Sequence, residues 1–267
     1  MKIGSRKAGD DMLLKIISTG SQAGNCYALI ADNGEILLLD FGCEPNKILR
    51  GIGYKISDVC GACLTHSHGD HVRAYRWLFQ NGIPIYTNDE TAEHFEIISG
   101  EKMIGKPERI PFEMGSFHVT GFYLPHTTRD KDTGALIPCP NFGYLIQCGD
   151  EKLLYMTDWE YCSYVFKKQR INYMVLECNH MDNLMDSSSA NYIHALKGHS
   201  SLSVVKSFAE VNKTPDLRNI ILCHLSSENA DPETMQKEVQ SVSGKWVNVA
   251  VAHAGDEYVL SKYPWEV

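Results

Sequence analysis

The run His66-Ser67-His68-Gly69-Asp70-His71 packs three imidazoles and a carboxylate into six positions, a density that metal ligation explains and a plain surface loop does not. Divalent zinc takes imidazole nitrogen and carboxylate oxygen, and a catalytic site keeps one position open for water. His66 and His68 lie two apart and can turn their rings the same way, while the small Ser67 and Gly69 leave room for an ion to approach. Asp70 and His71 open the next element. One loop can therefore serve two ions, the first through His66 and His68, the second through Asp70 and His71.

The flanking residues say what holds such a loop. Val59-Cys60-Gly61-Ala62-Cys63-Leu64-Thr65 is an apolar stretch of strand length, and Val72, Tyr75, Leu78 and Phe79 then recur at a spacing that predicts one amphipathic helix. Three later apolar runs also stop at groups able to bind metal: Tyr123-Leu124-Pro125 at His126, Leu153 to Thr157 at Asp158, and Asn219 to Cys223 at His224. A strand end is where a buried sheet meets solvent and where a layered α/β protein gathers residues distant in sequence.

Leu13-Ile17, Tyr27-Ile30 and Ile36-Asp40 read as an opening antiparallel meander, the last two joined through Asp32-Asn33-Gly34. Helices are expected at 45–49, 91–98, 202–211 and 232–242, and further strands at 117–124, 144–148, 153–156, 173–177 and 220–223. No Pro-, Gly- or Ser-rich linker and no repeat interrupts the 267 residues, so one domain over 1–267 is expected. A hydrophobic share of 43% with 22% charged residues is ordinary for a soluble globular protein. Nine cysteines, an odd number without framework spacing, fit reduced thiols, and Cys60-x-x-Cys63 reads as structural because no second pair accompanies it. The polar stretch from Met1 to Asp11 has no signal-peptide core and no segment is long and apolar enough to span a bilayer, which makes the cytoplasm the expected location.

Thr65-His66-Ser67-His68-Gly69-Asp70-His71 resembles the T-H-x-H-x-D-H signature of the metallo-β-lactamase superfamily. That resemblance implies the αββα four-layer sandwich. It also implies a two-metal centre: His126 as third ligand of the first metal beside His66 and His68, His224 as last ligand of the second beside Asp70 and His71, and Asp158 as the bridging carboxylate. Gly20-Ser21-Gln22-Ala23-Gly24-Asn25-Cys26-Tyr27, Leu176-Glu177-Cys178-Asn179-His180, Lys197-Gly198-His199-Ser200 and Cys223-His224-Leu225-Ser226 are similar to segments of the WalJ/YycJ-like branch, whose members are nucleic-acid-processing hydrolases. Met181 stands where that branch usually has Asp, which leaves His180 a support role. Two divalent ions follow as cofactors, zinc from the histidine-rich ligation, with manganese or iron permitted by the carboxylates. Flavodiiron relatives usually carry Glu where this chain has His68, which disfavours iron redox chemistry.

A hydroxide held between two ions attacks a phosphoester at neutral pH. Asp70 would both ligate and orient it. Lys197-Gly198-His199 precedes a helix expected from Ser200, so His199 and the helix N–H groups can meet an anion; His199 is the candidate to bind the scissile phosphate or protonate the leaving oxygen, with Asn25 and Lys197 as further substrate contacts. His194 is placed near the pocket, and His94, His118 and His253 outside it. A net charge of −8 argues against a broad nucleic-acid surface, leaving Lys167-Lys168-Gln169-Arg170 and Lys197 as local patches. The loop from Thr127 to Asn141 can gate the pocket or be an ordinary insertion. The leading expectation is a phosphodiesterase or exonuclease acting on nucleic-acid ends or small phosphodiesters; the alternatives are a carboxyl-ester, lactone or thioester hydrolase and a metal-binding regulatory protein. Protein partners and self-association stay open.

Overall fold

The computed structural model describes residues 12–100, 102–130, 132–189 and 192–261. The stretch Met1–Asp11 and Lys131 of the 127–141 loop lie outside them. The strands are β1 (Met12–Ser18), β2 (Cys26–Ala31), β3 (Ile36–Leu39), β4 (Val59–Cys63), β5 (Ile85–Asn88), β6 (Ile104–Lys106), β7 (Phe112–Met114), β8 (Phe117–Tyr123), β9 (Thr127–Arg129), β10 (Leu136–Pro138), β11 (Phe142–Cys148), β12 (Glu151–Met156), β13 (Tyr173–Glu177), β14 (Asn219–Cys223), β15 (Asn248–Val251) and β16 (Glu257–Leu260). The helices are α1 (Pro45–Gly51), α2 (Gly69–Val72), α3 (Tyr75–Gln80), α4 (Asp89–Ser99), α5 (Tyr192–Gly198), α6 (Leu202–Asn212) and α7 (Pro232–Ser243).

Two seven-stranded sheets form, in the orders β16-β1-β2-β3-β4-β5-β6 and β15-β14-β13-β12-β11-β8-β7. Alternation along each strand explains why they stack. Tyr27, Leu29, Leu37 and Leu39 point inward against Phe117, Phe142, Tyr144, Tyr155 and Val175, making one core between the sheets. Residues of opposite parity, Ala28, Ile36 and Leu38, pack outward with Ile48, Leu78 and Phe95 of α1, α3 and α4. Met174, Leu176, Ile220 and Leu222 do the same with Val205 and Phe208 of α6 and with Met235 and Val239 of α7. Helix, sheet, sheet, helix is the four-layer order that the motif implied. Each fully buried Leu or Phe contributes about 1.5–3 kcal/mol relative to exposure.

Parallel pairing of β3 with β4, of β12 with β13 and of β13 with β14 brings the carboxyl ends of these strands to the same edge, where open α/β sheets place their ligand sites. Asp40, Asp158 and His224 sit just past β3, β12 and β14, each with a φ of 53°. A left-handed non-glycine residue turns the chain sharply at a cost of order 1–3 kcal/mol, and such strain clusters at functional sites.

The single helix expected over Val72–Phe79 is broken into α2 and α3. The Ala74 N–H donates to Phe41 O (3.0 Å) instead of to the carbonyl four residues back, because Asp70 O is already taken by Asn25 N (2.7 Å). The 127–141 loop folds as a two-stranded β9–β10 ribbon. All nine cysteines are free, and the Cys60 thiol donates to Ile36 O. Among the described residues no helix is long and apolar enough to cross a membrane.

Candidate metal centre

β4 ends at Cys63, and the next residues are held by one buried carboxylate. Asp40 accepts from Thr65 N (2.8 Å), Tyr155 Oη (2.7 Å) and His71 Nδ1 (2.8 Å) and is itself fully buried. The same arrangement recurs at the other rings. His126 Nδ1 donates to Gly198 O (2.6 Å), His224 Nδ1 donates to Glu177 Oε1 (2.7 Å), and His66 Nδ1 lies 3.0 Å from Thr65 Oγ1. Fixing one ring nitrogen orients the other, as outer partners of metal-binding histidines do.

The freed nitrogens converge. His66, His68 and His126 form one group with donor atoms within 4.8 Å of one another; Asp70, His71 and His224 form a second; Asp158 joins His66 and His71 in a third and Glu177, His199 and His224 in a fourth. His66 Nε2 and His224 Nε2 are buried without a hydrogen-bond partner, which costs about 1–3 kcal/mol each unless something fills the gap. His68 Nδ1 faces His126 Nε2 at 3.2 Å, close to the roughly 3.3 Å expected of two tetrahedral nitrogens about 2.05 Å from one zinc. The donor set fits metal.

Electrostatics agree with a cation site. Burial pulls the His126 pKa down to about 3 and holds His66 well below the usual imidazole range, so both are neutral ligands. Burial works against charge on His224 too, but Asp158 and the carboxylates of Asp70 and Glu177 overcome it and lift that ring to about 10. Burial likewise opposes ionisation of Asp158, and His224 and His71 outweigh it, holding the carboxyl well below its normal range.

The structure brings His66, His68, Asp70, His71, His126, Asp158 and His224 together. It departs from expectation at three residues. Asn25 is fully buried beneath the loop, its Nδ2 3.1 Å from His71 Nε2 and its Oδ1 accepting from Gly20 N (2.9 Å), so it braces the cluster rather than facing a substrate. Lys197 points away and donates to Glu160 Oε1 (2.9 Å). His199 does line the cavity, but no anion cradle lies beside it: α6 starts at Leu202, the Ser201 hydroxyl caps Val204 N, and Ser200 N donates to Glu177 Oε2 (3.1 Å). His199 Nδ1 is held instead by Glu177 Oε1 (2.6 Å) and lies 3.3 Å from Asp158 Oδ1. Burial disfavours its charged form, yet Glu177 and Asp158 raise its pKa overall.

Glu177 and Asp40 are the contributors that sequence reasoning missed. The signal was a carboxylate ending an apolar strand, Tyr173-Met174-Val175-Leu176-Glu177, since a fully buried acid needs partners. His194 lines the cavity, whereas His94, His118 and His253 are exposed.

Three glycine-bearing loops pack backbone to backbone under Asp70 and His71. A Cβ on Gly42 would stand 1.7 Å from Asp70 O and 2.6 Å from His71 N. Gly42→Ala is therefore expected to cost about 1–3 kcal/mol and to weaken metal binding, because main chain must shift; thermal unfolding and metal titration check both, and wild-type values in the two would contradict the close packing.

Residues 19–126 match the family model described as Metallo-beta-lactamase superfamily. The chain is 24% identical over 247 residues to exodeoxyribonuclease YycJ of Bacillus anthracis, covering 85% of this chain and 87% of that protein. Its structure is similar to the metallo-β-lactamase fold protein YhfI of Bacillus subtilis, with a TM-score of 0.72, 20% identity and coverage of 94% of this chain and 99% of that one. It is also similar to the short form of human tRNase Z, with a TM-score of 0.60, 19% identity and coverage of 94% and 100%. The His66–His71 run lies inside the matched stretch, and over nearly the whole chain the two-sheet architecture is the metallo-β-lactamase fold.

Proposed function

We propose that the protein is a dinuclear metal-dependent phosphodiesterase, with zinc in both positions, acting on nucleic-acid ends or small phosphodiesters. The observation that carries this reading is the pair of three-residue donor groups, His66/His68/His126 and Asp70/His71/His224, with Asp158 Oδ2 3.1 Å from His71 Nε2 and able to serve both sides. Two divalent ions bound there would supply a hydroxide at neutral pH and neutralise charge on the attacked and departing oxygens. The chain's own groups do the rest. Asp70 and Asp158 hold the carboxylate positions, and His199, with its Nδ1 proton directed at Glu177, has Nε2 left to protonate the leaving oxygen. The name of the YycJ relative, an exodeoxyribonuclease, supports a nucleic-acid end as substrate. Free thiols throughout support a reducing compartment such as the cytoplasm.

Hydrolysis of a carboxyl ester, lactone or thioester is the second reading, and one observation favours it: Lys197 is engaged with Glu160, which leaves fewer cations for a phosphate. Purified protein with zinc or manganese should turn over bis-p-nitrophenyl phosphate and end-labelled single-stranded DNA or RNA in preference to a lactone and thioester panel; activity confined to that panel overturns the phosphodiesterase reading. Elemental analysis should find about two metal equivalents per chain, and chelation followed by dialysis should remove them together with activity, restored by zinc or manganese. A single equivalent at full activity would contradict the dinuclear centre.

A further inference from the structure

The cavity in front of the donor set has a volume of about 350 Å³. Besides His68, Asp70, Asp158 and His199, its wall is made by Ser21, Gln22, Asn179 and the turn Ser226–Asn229. No Lys, Arg, Phe, Tyr or Trp lines it among the described residues. A site that tracks a nucleic-acid strand uses cations along the backbone and aromatic faces for the bases, and this wall offers neither. It offers hydroxyls, amides and one carboxylate.

That carboxylate is Glu228. Its side chain is exposed and meets no donor among the described residues. The turn beneath it is fixed: Ser226 Oγ accepts from the N–H groups of Glu228 (3.3 Å) and Asn229 (3.2 Å), Ser226 N donates to Asn179 O (2.8 Å), and Met181 N donates to Asn229 O (2.9 Å). Glu228 thus presents an unused acceptor from a hydrogen-bonded turn that lines the same cavity as the candidate metal donors. A sugar hydroxyl satisfies it by donating. A second phosphate meets like charge there.

We propose that Glu228 determines which ends the enzyme accepts: a substrate whose terminal nucleoside carries a free hydroxyl, read at the sugar rather than the base, and not one whose end bears a phosphate. The inference rests on the phosphodiesterase reading above. Its test compares kcat/KM for thymidine dinucleotides with free hydroxyls at both ends against the same dinucleotides carrying a 5′ or a 3′ phosphate. Wild-type enzyme should favour the hydroxyl-ended form over at least one phosphorylated form by about tenfold or more; Glu228→Gln should shrink that ratio and Glu228→Lys should invert it. A ratio that neither substitution changes overturns the role of Glu228. Wild-type turnover of bis-p-nitrophenyl phosphate, run beside it, separates the two failures: hydrolysis of that ester with an insensitive ratio sinks this inference alone, whereas inertness toward every phosphodiester sinks both.

Discussion

Asp158→Ala or His68→Ala should lower phosphodiester turnover on the order of 10³-fold while the chain stays folded. Asp158 is the carboxylate with most at stake: its oxygens lie 3.1 Å from His71 Nε2 and 3.3 Å from His199 Nδ1, and only 2% of it is exposed. No neighbouring acid can take its place, because Asp40 is spent on Thr65, Tyr155 and His71, and Glu177 on His199 and His224. His68 instead faces His126 and His66 within the first group, so its removal empties that group of one nitrogen in three. Circular dichroism and metal content measured with activity distinguish the cases. A folded variant with one or no metal and lost activity is the expected result; full activity in either variant, or in metal-free wild type, would refute the mechanism.

Glu177→Gln should cost about 10–100-fold in activity, the range for partners that orient metal-bound histidines. One fully buried carboxylate accepts from His199 Nδ1 (2.6 Å), His224 Nδ1 (2.7 Å), Ser200 N (3.1 Å) and Trp159 N (3.2 Å). Burial disfavours its charge, yet His199 leads the groups that bring its pKa down to about 2, so it stays ionised. Glutamine keeps the shape but turns one acceptor into a donor that must face one of these groups. The effect should divide: weaker metal retention through His224, and lower kcat with an altered pH profile through His199. Glu177→Ala strands several buried donors and should also lower unfolding free energy by about 3 kcal/mol, read by urea denaturation. If the glutamine variant kept wild-type metal affinity and an unchanged pH profile, Glu177 would be packing and not positioning.

Strands β1–β4, β8 and β11–β14 and helices α1, α4, α6 and α7 were legible because strand alternation and capping signals are local, whereas the short strands β5–β7, β9, β10, β15 and β16 and helix α5 were not; the cluster was legible because imidazoles and a carboxylate two and four positions apart are rare by chance. His126, Asp158 and His224 could be found because each ends an apolar run. What escaped was contributed from a distance. Nothing near Asp40 in sequence announces that it holds a histidine ring 31 positions on, and nothing near Asn25 shows that it lies under Asp70. The break between α2 and α3 escaped for the same reason: Val72, Tyr75, Leu78 and Phe79 have helical spacing, but the Phe41 carbonyl competes for the Ala74 N–H. Lys197 and the α6 terminus looked like anion binders from spacing alone, and their hydrogen-bonding capacity went to Glu160 and to Ser201.

Each three-residue donor group draws on both halves of the sandwich. His66, His68, Asp70 and His71 follow β4 of the first sheet, while His126 follows β8 and His224 follows β14 of the second. Any ion held there would also be a rivet between two layers, adding to their side-chain packing and to hydrogen bonds such as Tyr155 Oη to Asp40 and Phe142 N to Thr65 O. A growing chain that had reached only β6 would carry the whole His66–His71 run yet neither His126 nor His224. Metal bound by these groups would therefore be held tightly only once the second half has docked, and the same donors would seal the finished fold.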